Sequence, residues 1–142
     1  MTPGAMKGRA LVRGSAQGEA LASQKAFTFA HGVNPVTGDV TDIRSDIRGF
    51  NVKGKVLFYP FGKGSTTASS WFLETVRNGN QPAGIVTEGI DLSAVIGSTM
   101  AGLLYKRIIP VVSGVPRSEY SKLRPGAVVS IEVDTGEVRV VA

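Results

Sequence analysis

The order of strand-like and helix-like segments between residues 55 and 113 is the feature that most limits the fold. Three short apolar runs, KVLFYP, PAGIVT and IIPVV, alternate with two stretches that carry helical spacing or helix caps. This order predicts β-α-β-α-β, with parallel strands joined by right-handed crossovers. The segments on either side are punctuated by glycine and show no long helical pattern. We therefore expect an α/β fold with added antiparallel strands, and not a doubly wound nucleotide-binding fold.

The bounds of the other predicted elements follow from turn and cap residues. Three strands are predicted before the central unit, in GRALVRG, GEALAS and AFTFA. After the central unit the sequence predicts a short helical turn, SEYSKLR, and then a final hairpin whose strands, GAVVSIEV and EVRVVA, are joined by DTG. The first helix should have Ser65 as its N-cap and stop at Asn78-Gly79-Asn80. The second, DLSAVIGSTMAGLLYK, should be capped by Asp91 or Ser93. At 142 residues the chain predicts one domain over residues 1–142.

Composition excludes several classes of function. The chain has no cysteine and one histidine, His31, so it predicts no disulfide, no thiolate metal site and no zinc site of histidines and cysteines. Its net charge of +5 is scattered and forms no basic run, so we expect no nucleic-acid partner. A face that docks on an acidic partner, or attracts an acidic substrate, explains the charge equally well. No apolar run approaches a membrane span, and the first residues lack the apolar core of a signal peptide, so a cytoplasmic location is expected.

Residues 62–70, GKGSTTASS, join the first buried strand to the first helix. The order Gly-Lys-Gly-Ser does not fit a phosphate-binding P-loop, and Thr67 stands where a dinucleotide fingerprint needs its third glycine. A strand that ends at a helix N-terminus nevertheless leaves free N–H groups and a positive dipole, which favour an anion. Lys63 is the nearest cation. The simpler alternative is that Ser65 only caps the helix while Thr66 and Thr67 tolerate the turn.

The same segment carries a resemblance to a known family. GKGSTTASSWFLE, followed after a short gap by PAGIV and accompanied by GSAQGEAL, HGVNPVTG and IIPVV, resembles the small, swivel-domain subunits of aconitase X. The resemblance extends from about residue 8 to residue 141. It implies the three-layer swivelling β/β/α domain of the aconitase superfamily. It also implies a two-chain hydro-lyase, a heterodimer whose larger, cysteine-bearing subunit holds an iron or iron–sulfur centre and most of the substrate site.

The resemblance further implies roles for individual residues. In aconitase-like enzymes a swivel-domain serine removes a proton alpha to a carboxylate, and the metal takes the hydroxyl as it leaves. The matching position here is Ser65, as general base. Gly64 and Thr66 would offer backbone N–H groups to the substrate or to the alkoxide, with Lys63 as the nearest cation and Thr67 beside them in the substrate site. No metal ligand is expected in this chain.

The resemblance leaves the substrate open. Family members dehydrate cis-3-hydroxy-L-proline or mevalonate 5-phosphate, and the length of LLYKRIIPVV before its strand favours the first as the leading hypothesis. A hypothesis of another class is a non-catalytic module that uses the same helix N-terminus to hold an acidic ligand or to regulate a partner. In the loop HGVNP, His31 and Asn34 stand where the family usually has other residues, and their role stays open.

Overall fold

The structure, a computed structural model, describes residues 5–63, 66–132 and 134–142, and these contain one eight-stranded sheet. The strands are β1 Met6–Lys7, β2 Arg9–Val12, β3 Ala16–Ala22, β4 Val56–Tyr59, β5 Gly84–Thr87, β6 Val111–Ser113, β7 Val128–Ile131 and β8 Glu137–Val140. The helices are α1 Thr67–Arg77, α2 Leu92–Tyr105 and a 3-10 helix, Arg117–Lys122. The order across the sheet is β1-β8-β7-β3-β4-β5-β6-β2. The predicted mixed α/β class is confirmed.

The centre of the sheet is the predicted parallel unit. Strands β4, β5 and β6 run parallel, with α1 connecting the first pair and α2 the second, and β3 adds a fourth parallel strand beside β4. Every residue of β4, β5 and β6 is buried. Continuous apolar strands of this kind are typical of a sheet that is covered on both faces.

Two different layers cover the two faces of this parallel unit. Alternate side chains of the central strands pack against the helices on one face and against the antiparallel strands on the other. The first set includes Leu57, Tyr59 and Ile85, and the second Val56, Phe58 and Val86. Helices α1 and α2 therefore lie on one side of the parallel strands, and the antiparallel layer lies on the other together with Tyr120 of the 3-10 helix.

The two ends of the sheet are joined through Gly8. Strands β1 and β2 are the outermost strands of the sheet, yet only this residue separates them in the chain. A Cβ atom at Gly8 would lie 2.3 Å from the carbonyl oxygen of Ser113, so the position requires glycine. The sheet consequently curls until its first two strands nearly close it.

Three predicted boundaries are wrong. AFTFA is not a strand, because Phe27 forms only an isolated bridge with Gly62 while Phe29 packs on the ring of Phe72, 4.6 Å between centroids. Its apolar side chains are buried by loop packing instead of strand pairing. Helix α1 begins at Thr67 with Thr66 as its N-cap, one residue after the predicted N-cap Ser65, and the strand predicted in IIPVV begins only at Val111.

Candidate active site

The carboxyl ends of β4 and β5 lie side by side, and the loops that follow them form the two walls of the candidate site. The backbone N–H groups of Glu88 and Gly89 both donate to the carbonyl of Pro60, at 3.2 and 2.9 Å. The backbone N–H of Lys63 donates to the carbonyl of Phe27 at 2.9 Å. The glycine–hydroxyl turn predicted from the sequence is thus held on one side by the loop after β5 and on the other by residue 27.

Tyr59 and Asp91 connect these two walls inside the protein. The Tyr59 hydroxyl, in a fully buried side chain, donates to Asp91 Oδ2 at 2.6 Å. Asp91 Oδ1 accepts from the N–H groups of Ser93, at 3.1 Å, and Ala94, at 3.4 Å, which makes Asp91 the N-cap of α2. Burial of the Tyr59 hydroxyl is the larger cause, and the negative charge of Asp91 the next, of a pKa well above the ordinary value for tyrosine. The phenol therefore keeps its proton and stays a hydrogen-bond donor.

Gly62 is required by this arrangement. A Cβ atom at this position would lie 2.5 Å from the carboxyl carbon of Asp91. The space that glycine leaves open beside the backbone is taken in the structure by the carboxylate of Asp91. Gly62 therefore sets how closely the turn packs against the start of α2.

Lys63 lies at the turn as predicted, but it is paired with a carboxylate that the sequence did not reveal. Its Nζ atom is 2.8 Å from Oδ2 of Asp42, whose side chain is largely buried. The hydrogen bond from Lys63, followed by one from the backbone N–H of Arg44, lowers the pKa of Asp42. Nothing in the local pattern around Asp42 marks it as a partner of Lys63, because an irregular loop brings it to the turn.

The remaining predicted residues surround the start of α1. Gly64 and Ser65 lie outside the described residues, so the role of Ser65 as general base stays a prediction. Thr66 occupies the capping position and is exposed, and its side chain makes no capping hydrogen bond within the described part of the helix. Its carbonyl accepts from the Ser69 hydroxyl at 2.8 Å. Thr67, also exposed, is the first helical residue.

Comparison with known proteins decides the family. Residues 5–140 match the model of the aconitase X swivel domain. The chain belongs to the aconitase X swivel-domain family. The resemblance inferred from GKGSTTASSWFLE and PAGIV is thereby confirmed.

Relatives of the same length strengthen this assignment. The chain is 42% identical to the phosphomevalonate dehydratase small subunit of Thermococcus onnurineus, over 95% of this chain and 97% of the relative. It is 33% identical to the protein of that name from Methanosarcina acetivorans, over 99% and 94% of the two chains. A crystal structure of Thermococcus kodakaraensis aconitase X in its holo-form superimposes with a TM-score of 0.87 at 37% identity, covering 99% of this chain and 100% of that one. These names agree with the predicted class, a hydro-lyase small subunit.

His31 and Asn34, which differ from the residues usual at these positions in aconitase X sequences, have structural roles in this chain. His31 has a positive φ of 59°, and its ring packs against that of Trp71 in α1, tilted by 51° with 4.4 Å between centroids. The Asn34 side-chain oxygen accepts from the backbone N–H of Val36 at 2.9 Å, which is a hydrogen bond typical of an Asn turn. Both residues thus shape the loop that leads to Asp42.

A metal centre held by the swivel domain alone would need several ligating side chains close together. The described residues of the domain contain no group of three or more His, Cys, Asp or Glu that could hold a metal ion. Iron–sulfur clusters are held by cysteine thiolates, and the whole sequence has no cysteine. The residues of this chain therefore do not fit an iron–sulfur cluster. Within the described ranges, no helix has the length and apolar character needed to cross a membrane.

Proposed function

We propose that this chain is the small subunit of a phosphomevalonate dehydratase. The observation that carries the proposal is its match, along nearly the whole of both chains, to relatives of that name at 33–42% identity. In this proposal a cysteine-bearing large subunit holds the iron or iron–sulfur centre and most of the substrate site. The swivel domain closes over that subunit and brings its own turn to the substrate.

The relatives favour mevalonate 5-phosphate over cis-3-hydroxy-L-proline, the leading hypothesis from the sequence. That hypothesis depended on the length of LLYKRIIPVV. In the structure, the residues after α2 form a connector: Lys106 ends the helix in a left-handed conformation with φ 57°, and β6 begins at Val111. The length of a connector between a helix and a strand carries no information about a substrate.

The part of the reaction that we assign to this chain is removal of a proton. In the dehydration of a β-hydroxy acid, the C–H bond alpha to the carboxylate breaks, a carbon–carbon double bond forms, and the hydroxyl leaves from the next carbon to give water. Ser65 is the proposed base that takes the proton. Departure of the hydroxyl is assigned to the large subunit.

A serine holds its proton at neutral pH, so the proposal requires groups that stabilise an alkoxide. Ser65 stands in the chain between Lys63 and the start of α1, whose first N–H groups and dipole favour negative charge. The backbone N–H groups of Gly64 and Thr66 are proposed donors to the alkoxide or the substrate, and Thr67 is a proposed neighbour of the substrate.

Lys63 is the proposed cation for an acidic group of the substrate. Because its ammonium is 2.8 Å from the Asp42 carboxylate, an incoming anion would compete with Asp42 for the same donor. The pair also holds Lys63 close to the turn before substrate arrives. In this proposal Asp42 limits how strongly the empty site attracts anions.

A reconstitution experiment tests the proposed function. The chain, its candidate large subunit and the mixture of both are assayed for dehydration of mevalonate 5-phosphate and of cis-3-hydroxy-L-proline. We expect turnover of mevalonate 5-phosphate by the mixture and none by either chain alone. The proposal would be contradicted if the mixture dehydrated cis-3-hydroxy-L-proline and not mevalonate 5-phosphate. It would also be contradicted if this chain dehydrated either compound without a partner. A mixture that forms a complex but dehydrates neither compound would favour the non-catalytic module.

A further inference from the structure

Helix α2 has an unusual composition for a helix at the surface of a domain. Its 14 residues, LSAVIGSTMAGLLY, include no Asp, Glu, Lys, Arg or His. A surface helix normally carries charged and polar residues on its solvent face, and a helix without them is normally covered on all sides. The composition therefore indicates that α2 is covered by more than this chain provides.

The inward face of α2 is formed by its small residues. The buried residues of the helix are Ala94, Gly97, Ser98 and Ala101. A Cβ atom at Gly97 would lie 2.3 Å from Cδ2 of Phe72, so α2 approaches α1 as closely as glycine allows. The small side chains are thus used within the domain, and the large apolar side chains point away from it.

Three of those large side chains lie on one outward line. Leu92, Ile96 and Leu103 are 67%, 50% and 68% exposed. Steps of four and seven residues return to the same side of an α-helix, so these side chains follow one another along the helix. Ile90, which precedes the helix, is 61% exposed. We call Ile90, Leu92, Ile96 and Leu103 the α2 stripe.

The α2 stripe begins at the candidate active site. A groove of about 300 Å³ is lined by Ile90 and Leu92 of the stripe together with Phe61, Gly62 and Lys63 of the turn. The aromatic ring of Phe61 is itself exposed. Asp91 and Ser93 complete the lining of the groove, and exposed apolar side chains follow one another from Phe61 in the turn, past the groove, to the far end of α2.

We propose that the α2 stripe is the surface on which the large subunit docks. The inference rests on the proposed function, in which another chain must complete the site at residues 61–63. A partner that covers this turn also covers the adjoining groove, and the stripe extends from there. A second copy of this chain would instead bury the turn against a chain without cysteine and keep the large subunit from it.

The small area of the α2 stripe and the positive charges beside it agree with a partner that contacts more of the surface than the stripe alone. A stable interface buries about 800 Å² on each side, so four apolar side chains are its centre and not its whole extent. Lys106 and Arg107, both exposed, follow the carboxyl end of the helix. They give that end of the surface a positive rim, which suits acidic groups at the matching edge of the large subunit.

Binding of full-length variants to the large subunit tests this proposal. Ile96→Glu and Leu103→Glu each place a charge on the stripe, where docking would bury it without a partner. Val141→Glu is the matched control, because Val141 is 49% exposed and follows β8 in the antiparallel layer, across the parallel strands from α2. Calorimetric titration gives the Kd of each complex, and circular dichroism with thermal melting verifies that each variant is folded.

We expect both stripe variants to raise the Kd by at least about 30-fold, which is the loss typical of a central interface residue, and the control to change it by less than about threefold. An unchanged Kd for both folded stripe variants would overturn the docking surface. So would sedimentation data showing that the chain self-associates through the stripe and stays self-associated with the large subunit present. The assay needs no substrate, so tight wild-type binding without turnover would reject the proposed function and leave the docking surface intact.

Discussion

The hydroxyl of Tyr59 donates a 2.6 Å hydrogen bond to the carboxylate of Asp91, and this bond joins the end of β4 to the beginning of α2. The two residues are 32 positions apart in the chain. Asp91 at the same time caps α2 through the N–H groups of Ser93 and Ala94. One carboxylate therefore fixes the relative position of both elements that border the candidate site.

Replacing Tyr59 by Phe should destabilise the protein without disturbing its packing. The ring would still lie 5.1 Å from that of Phe27, but Asp91 would lose a buried donor. A hydrogen bond to a charged group is worth about 1.5–3 kcal/mol, so we expect a loss of this size in the free energy of unfolding, measured with urea. Tyr105→Phe, at the exposed end of α2, is the control and should change stability by less than about 0.5 kcal/mol. Equal effects of the two substitutions would show that the bond to Asp91 stabilises nothing.

Adding one methyl group at Gly62 should displace the turn or the start of α2. The new Cβ would lie 2.5 Å from the carboxyl carbon of Asp91, and overpacking of this kind costs about 1–3 kcal/mol. Gly102→Ala is the matched control, because the nearest atom to its Cβ, the carbonyl oxygen of Arg107, would be 3.9 Å away. Since Gly102 lies within α2, alanine there should be neutral or stabilising by up to about 1 kcal/mol. Thermal unfolding of both variants makes the comparison, and Gly62→Ala as stable as wild type would contradict the close packing.

The Lys63–Asp42 pair predicts a specific dependence of stability on pH. Because the pKa of Asp42 is lower in the folded protein than in the unfolded chain, the pair stabilises the fold above the ordinary carboxyl pKa of about 3.9. This contribution is lost as the pH falls through the lowered pKa. Lys63→Met removes the main cause of the shift and should raise the pKa of Asp42, which carbon NMR of the carboxyl group between pH 2 and 6 would measure.

Arg77→Met is the control for that titration. Arg77 pairs with Glu74 at the carboxyl end of α1, where it has no contact with Asp42, and its removal should leave the Asp42 titration unchanged. If Lys63→Met also leaves the Asp42 pKa at its wild-type value, the 2.8 Å ion pair is not formed in solution.

The parallel unit could be predicted from the sequence because each of its elements carries a local signal. KVLFYP and PAGIVT are continuous apolar runs, and Asp91 precedes a helical segment as a capping residue should. The prediction of a strand at AFTFA was wrong for a physical reason. Alternating aromatic residues are typical of a strand, but Phe27 and Phe29 are buried by rings of other elements and not by strand pairing.

The candidate site was predictable only in part. The glycine–hydroxyl turn lies within one stretch of chain, so Lys63, Thr66 and Thr67 could be placed near the start of a helix. The partners of that turn come from distant segments: Asp91 from the loop after the neighbouring strand and Asp42 from an irregular loop. The position of Asp91 was accessible in principle, because the carboxyl ends of adjacent parallel strands meet at one edge. That of Asp42 depends on packing alone.

The role of Ser65 as general base is tested most directly by the turnover of mevalonate 5-phosphate by the reconstituted complex that carries Ser65→Ala. Loss of a general base lowers kcat by about 100-fold or more, whereas loss of a helix cap costs about 1 kcal/mol of stability and leaves the chemistry intact. Ser70→Ala, an exposed hydroxyl in the same cluster, is the control and should retain wild-type kcat. We predict that the Ser65→Ala complex is folded, assembled and at least about 100-fold slower. A kcat above about a tenth of the wild-type value would contradict the role of Ser65 as base, because loss of a base lowers the rate far more than that.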